Sequence, residues 1–414
     1  MTNSNSHFRK IEKAGTAYVS EKASELGFQF GHPDWSNLGQ GSPDTGYIEG
    51  DLDRIEEIKL AQNDSNYAPI AGIKKLREVV ATYYNELYRQ NKTSKYTWKN
   101  VCIVPGGRSA LSRVASVLGN INLGLVVPEY PAYKGIVEMF PQISPKVLVL
   151  EKKDGFKLDL LKYKNFIKEN NLDAFLLSNP SNPTGRVLVK DELKELISIS
   201  KQSGLTLIHD EFYSRFIYNL GNEASSAAIY VEDVNKDSVL IIDGITKSWR
   251  YPGWRISWVI APEDVVENLS SSGSFMDGGA NHPLQEASLS LFNFDDDFDS
   301  RKALRKEFQL KLNFMISSLK KLGFDLETEP ESALYLWVNL DNLPDEINTG
   351  RKFFEKALQE KLIVIPGEFF DLNFDRQKSK KVKFENYIRL SYGPPMAELE
   401  RGIEKIATLL RKYN

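Results

Sequence analysis

The chain has 414 residues, with 53 lysines and arginines against 56 aspartates and glutamates, for a net charge of −3. That near-balance supplies no basic footprint for a nucleic acid, and no apolar run approaches the ~20 residues needed to span a bilayer as a helix. At roughly 100–200 residues per domain, the length predicts two or three domains.

The one cysteine, Cys102, sits in the apolar run VCIV. There a thiol packs as a small hydrophobe rather than serving as a nucleophile. A lone cysteine allows no internal disulfide, which fits a reducing compartment. The polar start MTNSNSHFRK lacks the apolar core of a secretory signal, and a cytoplasmic protein is expected.

From about residue 98 apolar strands alternate with amphipathic helices. VCIV is followed by helical RSALSRVASVL, GLVV by AYKGIVEMF, KVLVLE by DLLKYKNFIKEN, and AFLL by KDELKELISISKQSG. The last of these helices ends at Gly204, a suitable C-cap. LTLI, SVLII and ISWVIA complete seven strands. Short continuous apolar runs are expected when helices cover both faces of a sheet. The pattern predicts an α/β fold with a mostly parallel seven-stranded sheet. After residue 299 the texture changes. A long charged helix precedes strand-like ALYLWVNL, IVIPG and YIRLSYG and two further helices, which reads as a smaller α+β domain. The expected division is an N-terminal arm and loop over 1–48, grouped with the small domain, a large domain over 49–299 and a small one over 300–414. The acidic run DDDFD at 295–299 is read as the solvated boundary.

In open α/β sheets, ligands bind at the carboxyl ends of the strands. After VCIV comes PGGRSA, where two glycines open a helix and backbone amides can face an anion. After LVVP comes EYPAY, and after AFLL comes SNPSNPTG. Each of these is ordinary turn chemistry on its own. After LTLI comes HDEFY, which puts Asp210 at a buried strand end, where a carboxylate needs a partner. After VLIID comes GITKSWRYPGWR, with Lys247 and Arg255 bracketing a Pro-Gly turn. The four histidines show no metal-like spacing, and His209 and His282 read as structural. Together the strand ends suit a flat, anionic, electron-withdrawing cofactor with a phosphate and an aldehyde, such as pyridoxal 5'-phosphate.

NLGQG, YAPIAGIKKLRE, PGGRSAL, PEYPAY, SNPSNPTG, DEFY, TKSWRYPGWR and IRLSYG occur in this order. That ordered set resembles the class I/II aminotransferases, fold type I of the pyridoxal-phosphate enzymes, from about residue 37 to the C-terminus. The resemblance implies an amino transfer from an L-amino acid to a 2-oxo acid. It implies that Lys247 is the Schiff-base lysine and Asp210 the partner of the pyridine nitrogen. Tyr213 and Asn182 resemble the donors to the ring hydroxyl oxygen, and Tyr133 the aromatic stacked on the ring. Gly107 and Arg108 would offer amides to the phosphate, and Arg255 a bidentate charge. Arg389 resembles the anchor of the substrate α-carboxylate. Asn37 to Gly41 resemble a loop over the substrate. Tyr67 resembles a tyrosine that reaches the neighbouring subunit's phosphate, which implies a homodimer.

The sequence departs from the family in three places. Many members carry a serine where Gly244 stands; Thr246, Ser248 or Ser109 could replace that hydroxyl. The residue at Arg108 is often small or uncharged, so its side chain either adds a phosphate charge or is solvated. The arginine by which the aspartate-specific branch reads a distal carboxylate has Asp277 as its nearest equivalent. This disfavours a dicarboxylate donor read by that arginine and leaves neutral, aromatic or cationic side chains open. A β-lyase (C–S lyase) or decarboxylase on the same scaffold shares every cofactor contact. A non-catalytic binding module would be expected to carry an appended basic domain, and no G-x-G-x-x-G follows the first strand for a dinucleotide.

Overall fold

The computed structural model describes residues 7, 11, 13, 15–218, 220, 223–374 and 382–413, so most of the polar start lies outside the described residues. Helix α1 (Gly15–Glu25) and the short strand β1 (Ser36–Asn37) come first. Then follow α2 (Lys74–Tyr88), β2 (Val101–Val104), α3 (Gly107–Val117), β3 (Ile121–Val127), α4 (Ala132–Val137) and β4 (Ile143–Val149). Next are α5 (Leu160–Glu169), β5 (Ala174–Ser178), α6 (Lys190–Gln202), β6 (Thr206–Asp210), β7 (Val239–Gly244), α7 (Ile245–Ser248) and β8 (Ser257–Ile260). Helices α8 (Glu263–Met276), α9 (His282–Ser288) and α10 (Phe294–Lys321) lead to β9 (Tyr335–Asn339). The chain closes with α11 (Gly350–Gln359), β10 (Leu362–Ile363), β11 (Ile365–Pro366), β12 (Tyr387–Ser391) and α12 (Met396–Arg411).

The sheet of seven strands has the order β2-β8-β7-β6-β5-β3-β4, with β8 antiparallel to both its neighbours and the remaining pairings parallel. Residues of β2, β5, β7 and β8 are buried throughout, as the continuous apolar runs require. Helix α6 shows why the crossovers hold. Leu193, Leu196, Ile197 and Ser200 share one buried stripe, Asp191 and Glu192 occupy the first turn, and Gly204 follows the last turn at φ 67°. These are the periodic, dipole and cap signals of a helix laid on a sheet.

Strand order β11-β12-β9 forms a second, antiparallel sheet, and β1 pairs in parallel with β10. The N-terminal segment is thereby tied to the last third of the chain. The Asn37 amide donates to Glu398 of α12 at 2.7 Å, and Leu38 lies where a Cβ on Gly402 of α12 would meet it at 2.7 Å. These contacts fix the loop that follows β1 over the carboxyl ends of the main sheet.

The acidic run at 295–299 is helical rather than an open, solvated linker. It forms the opening turns of α10, which runs unbroken to Lys321. Asn293 caps the helix through the Asp295 amide, Asp295 to Asp297 face the positive end of its dipole, and buried Asp297 pairs with Arg215 and Arg301. Arg113 of α3 is another fully buried cation. It donates to both oxygens of Asp277 at the end of α8, and Gly273 leaves the space its guanidinium fills. Asp277→Asn leaves that guanidinium uncompensated, so unfolding should cost about 3–5 kcal/mol less than in the parent chain. Denaturant titration checks this, and replacing both partners by apolar residues should recover part of the loss.

Candidate active site

A cavity of about 480 Å³ opens at the carboxyl ends of the parallel strands. Its floor comes from the main sheet, its far wall from β9 and β12, and its rim from α1 and the loop after β1. Lys247 reaches it from the single turn of α7, partly buried, and its Nζ donates to the Gly41 carbonyl. Burial pushes this amine down to about 7, helped by the guanidiniums of Arg389, Arg255 and Arg108 and opposed by Asp210. A desolvated ammonium among like charges releases its proton readily.

Asp210 ends β6, and its Oδ2 accepts a 2.8 Å bond from the Tyr133 hydroxyl. Burial pushes its carboxyl up to about 6, while Tyr133 and the Phe212 amide pull the other way. The Tyr213 and Tyr335 hydroxyls bond to each other, and burial holds both phenols protonated. Arg389, 1% exposed, donates from Nη1 to Asn182 Oδ1 at 2.8 Å and from Nη2 to the Gly39 carbonyl at 2.6 Å. Its guanidinium stacks on Tyr335 at 4.2 Å and Phe370 at 5.2 Å, contacts that fix the plane of the fork. Asn182 is held in turn by its amide, which donates to Ser178 Oγ at 3.3 Å.

Gly107 opens α3, with Gly106 as its cap at φ 89°. A Cβ on Gly106 would lie 1.9 Å from a terminal nitrogen of Arg255, so the guanidinium rests against the turn and the glycine is required twice over. Arg255 itself sits at φ 58°, donating to the Pro252 carbonyl at 3.0 Å. Arg108 also lines the cavity, with its Nε on the Tyr130 hydroxyl at 3.2 Å.

The structure thus gathers Gly41, Gly107, Arg108, Asn182, Asp210, Tyr213, Thr246, Lys247, Arg255 and Arg389 around one space. Two expected residues lie elsewhere. Tyr133 does not face the cavity; it is 1% exposed behind the wall, where it holds Asp210, and Tyr130 lines the space instead. The two rings meet edge to face at 5.5 Å, so only one can face the cavity. Tyr67 is 99% exposed and outside the cavity of its own chain. Asp277 is likewise absent from the wall, being taken up by Arg113. Among the described residues no group of side chains has the makings of a metal site, and His209 is buried against Glu211 at 2.7 Å.

A family model described as aminotransferase class I and II matches residues 33–406. The chain belongs to that family. An aspartate aminotransferase of Sulfolobus acidocaldarius is 26% identical over 91% of this chain and 90% of its own. A probable aspartate/prephenate aminotransferase of Aquifex aeolicus is 25% identical over 97% of each. In fold the chain is similar to the aspartate aminotransferase of Thermus thermophilus solved with maleate, at a TM-score of 0.80 and 23% identity over 97% of each chain. It is also similar to an aromatic aminotransferase of Pyrococcus horikoshii, at 0.76 and 22% over 95% of this chain and 99% of that one. This class I and II aminotransferase is pyridoxal-phosphate dependent and moves an amino group from an L-amino acid to a 2-oxo acid. The elimination alternative finds no support in these matches.

The donor set fits the cofactor. A depressed amine suits an aldehyde, and a buried carboxylate suits a ring nitrogen. The glycine turn at the start of α3 with Arg255 suits a phosphate. Thr246 Oγ1, buried in the wall, has no hydrogen-bond partner, which marks a donor aimed at a ligand. Sequence reasoning missed Tyr335 and Tyr130. Tyr130 was legible as one of the two tyrosines of EYPAY; Tyr335 belongs to a strand with no motif.

Because the Lys247 amine is depressed to about 7, it is neutral above that pH and protonated below it. The rate at which the cofactor-free chain takes up pyridoxal phosphate should therefore rise as pH climbs through about 7 and level off by pH 9, as followed by visible absorbance. A rate still climbing steeply from 9 to 10 would mean an ordinary lysine.

Proposed function

We propose that the cavity is the transaminase site and that each side chain around it has a distinct task. Lys247 would hold the cofactor through its aldehyde, and its neutral amine would be the base that takes the proton from substrate Cα and later returns it. Its place in the cavity, with Nζ on the Gly41 carbonyl and Asp210, Arg255 and Arg389 around the same space, is the observation that carries this reading. General acid–base help of this kind is worth roughly 10²–10⁴-fold. Bound there, the cofactor supplies an aldehyde for amine exchange and a ring that draws electrons from Cα. Asp210, oriented by Tyr133, keeps the ring nitrogen protonated by its charge. Tyr213 and Asn182 donate to the ring hydroxyl oxygen, and Tyr130 supplies the stacking face. Gly107, Thr246 and Arg255 hold the phosphate, and Arg389 forks onto the substrate α-carboxylate, its plane set by Tyr335.

The substrate we propose is an acidic amino acid. Two observations support it. The relatives that match most of the chain include proteins named aspartate aminotransferase. Arg108, on α3, is a further guanidinium lining the same cavity as Arg389, and we assign it to a distal carboxylate. The test is a donor titration of the loaded enzyme. L-Aspartate should bleach the cofactor band at lower concentration than L-alanine or L-phenylalanine, and a 2-oxo acid should restore it. Arg108→Gln should raise KM for aspartate by about tenfold and leave that for alanine nearly unchanged, the loss of one charge-assisted contact. Arg389→Lys should weaken all donors together while cofactor affinity holds. A uniform loss in the Arg108 variant would overturn the acidic-donor reading, and equal loss of cofactor and donor in the Arg389 variant would overturn its role.

The arm through residue 48 is proposed to move with residues 300–414 as the smaller domain, closing over the larger one on binding. The β1–β10 pairing supports that grouping. The chain is proposed to act in the cytoplasm as a homodimer. Among the described residues no helix is long and apolar enough to cross a membrane. The dimer is supported by Tyr67, which projects from its own chain and is expected to reach the neighbour's phosphate. A solution mass near twice 47.0 kDa is expected; a monomer with full activity would contradict it.

A further inference from the structure

Gly244 and the hydroxyls near it give a result that no motif carried. Of the three hydroxyls that could replace the family's serine, Thr246 is already assigned to the phosphate above, while Ser248 donates to the Phe212 carbonyl at 3.4 Å and Ser109 to the Pro105 carbonyl at 3.3 Å. The two serines are committed to backbone, which leaves Thr246 and the space in front of Gly244. Gly244 has φ 173° and ψ 175°, an extended conformation open to any residue, so its backbone does not demand glycine. Space does. A Cβ at Gly244 would lie 2.4 Å from Ser257 Oγ and 2.7 Å from Ser257 Cα and Cβ.

Ser257 begins β8, the one antiparallel strand, so its start lies at the carboxyl ends of its neighbours. Its Cα partners are Gly244 on β7 and Val104 on β2. One leads into the turn that bears Lys247, the other into the Gly106–Gly107 turn that opens α3. Arg255 stands two residues before it. Trp258 points to the opposite face, against Trp249 at 5.9 Å and Tyr84 at 3.4 Å. By the two-residue period Ser257 points to the other face, and a Cβ added at Gly244, on the strand that leads to Lys247, would meet its Oγ. Its side chain is 0% exposed, and Oγ has no hydrogen-bond partner. A buried hydroxyl left unpaired is costly and calls for a ligand.

We propose that Ser257 is a further phosphate donor, contributing from β8 the hydroxyl that Gly244 lacks on β7. The proposal rests on the phosphate reading of the α3 turn given above. The exchange is mutual: the serine occupies the volume that any larger residue at Gly244 would need, so the pair can carry one hydroxyl on either strand but not two side chains at once.

The test is equilibrium titration of the full-length, cofactor-stripped protein with pyridoxal phosphate and, separately, with pyridoxal, which lacks the phosphate. Ser257→Ala should raise the Kd for pyridoxal phosphate about tenfold, leave that for pyridoxal unchanged and leave the melting temperature of the stripped protein unchanged. No change for pyridoxal phosphate, or an equal loss for both aldehydes, would overturn the proposal. Arg255→Ala, run beside it, separates the two levels. If it weakens pyridoxal phosphate while Ser257→Ala does not, only the serine is wrong; if neither does, the phosphate reading of the turn falls as well. A second set keeps the geometry testable. Gly244→Ser alone should be destabilised by the clash, and Gly244→Ser with Ser257→Gly should bind pyridoxal phosphate more tightly than Ser257→Gly alone. A double variant no better than that single would refute the exchange.

Discussion

The desolvated amine of Lys247 is the constraint on which the rest of the site depends. A lysine held half-buried beside Arg389, Arg255 and Arg108 resists protonation, and only a neutral amine can take up an aldehyde or accept a proton from carbon. The guanidiniums therefore do two things. They are suited to bind anions, and they tune the lysine by their field. Asp210 counters them, so the balance of charges is local and each member affects the others. The cost of burying so much charge is met by orientation. The Asp210 carboxylate is tied to Tyr133, the Arg389 fork to Asn182 and Gly39, and the guanidinium plane to Tyr335. These are pre-formed contacts, which spare the reaction the reorganisation that water would require.

Much of this was legible because a parallel sheet advertises itself. The continuous apolar runs marked the seven strands, and the polar residues just after them marked the ligand face. The errors have physical causes. In EYPAY the two tyrosines are three residues apart, and the choice between them depends on where α4 begins. Helix α4 starts at Ala132, so Tyr133 turns inward to Asp210 while Tyr130, before the helix, lines the cavity. No periodicity in five residues could have shown that. Tyr335 was invisible for another reason. It is brought to Tyr213 and Arg389 only by the β9–β12 pairing and the packing of two sheets. DDDFD looked solvated by composition, yet Asp297 is buried because Arg215 and Arg301 meet it.

Ser257 shows a subtler limit. A chemical role can migrate between strands while the family's sequence pattern records only a loss. Reading Gly244 alone suggests one hydroxyl fewer. Reading Gly244 with its Cα partner shows a small residue facing a buried serine across an antiparallel pair. Such pairs are separated in sequence and joined only by register, which makes them silent to motifs and plain in a structure.

The loop after β1 connects these elements to motion. Gly39 accepts from Arg389, and Gly41 accepts from Lys247, so two carbonyls of one short loop hold the two cations that the proposed mechanism needs. A substrate carboxylate that takes the Arg389 fork competes with the Gly39 carbonyl for the same donor, and a negatively charged oxygen makes the stronger bond. A shift of the loop would carry with it β1, which is paired to β10, and Leu38, which is packed on α12. Such a coupling would run from the substrate to the last third of the chain through main-chain contacts rather than through a separate lid. Arg389, the proposed anchor of the α-carboxylate, stands in the smaller sheet, and Lys247 stands on the turn that follows β7 of the larger one. In the closure proposed above, drawing the two sheets together is what brings Cα to the amine.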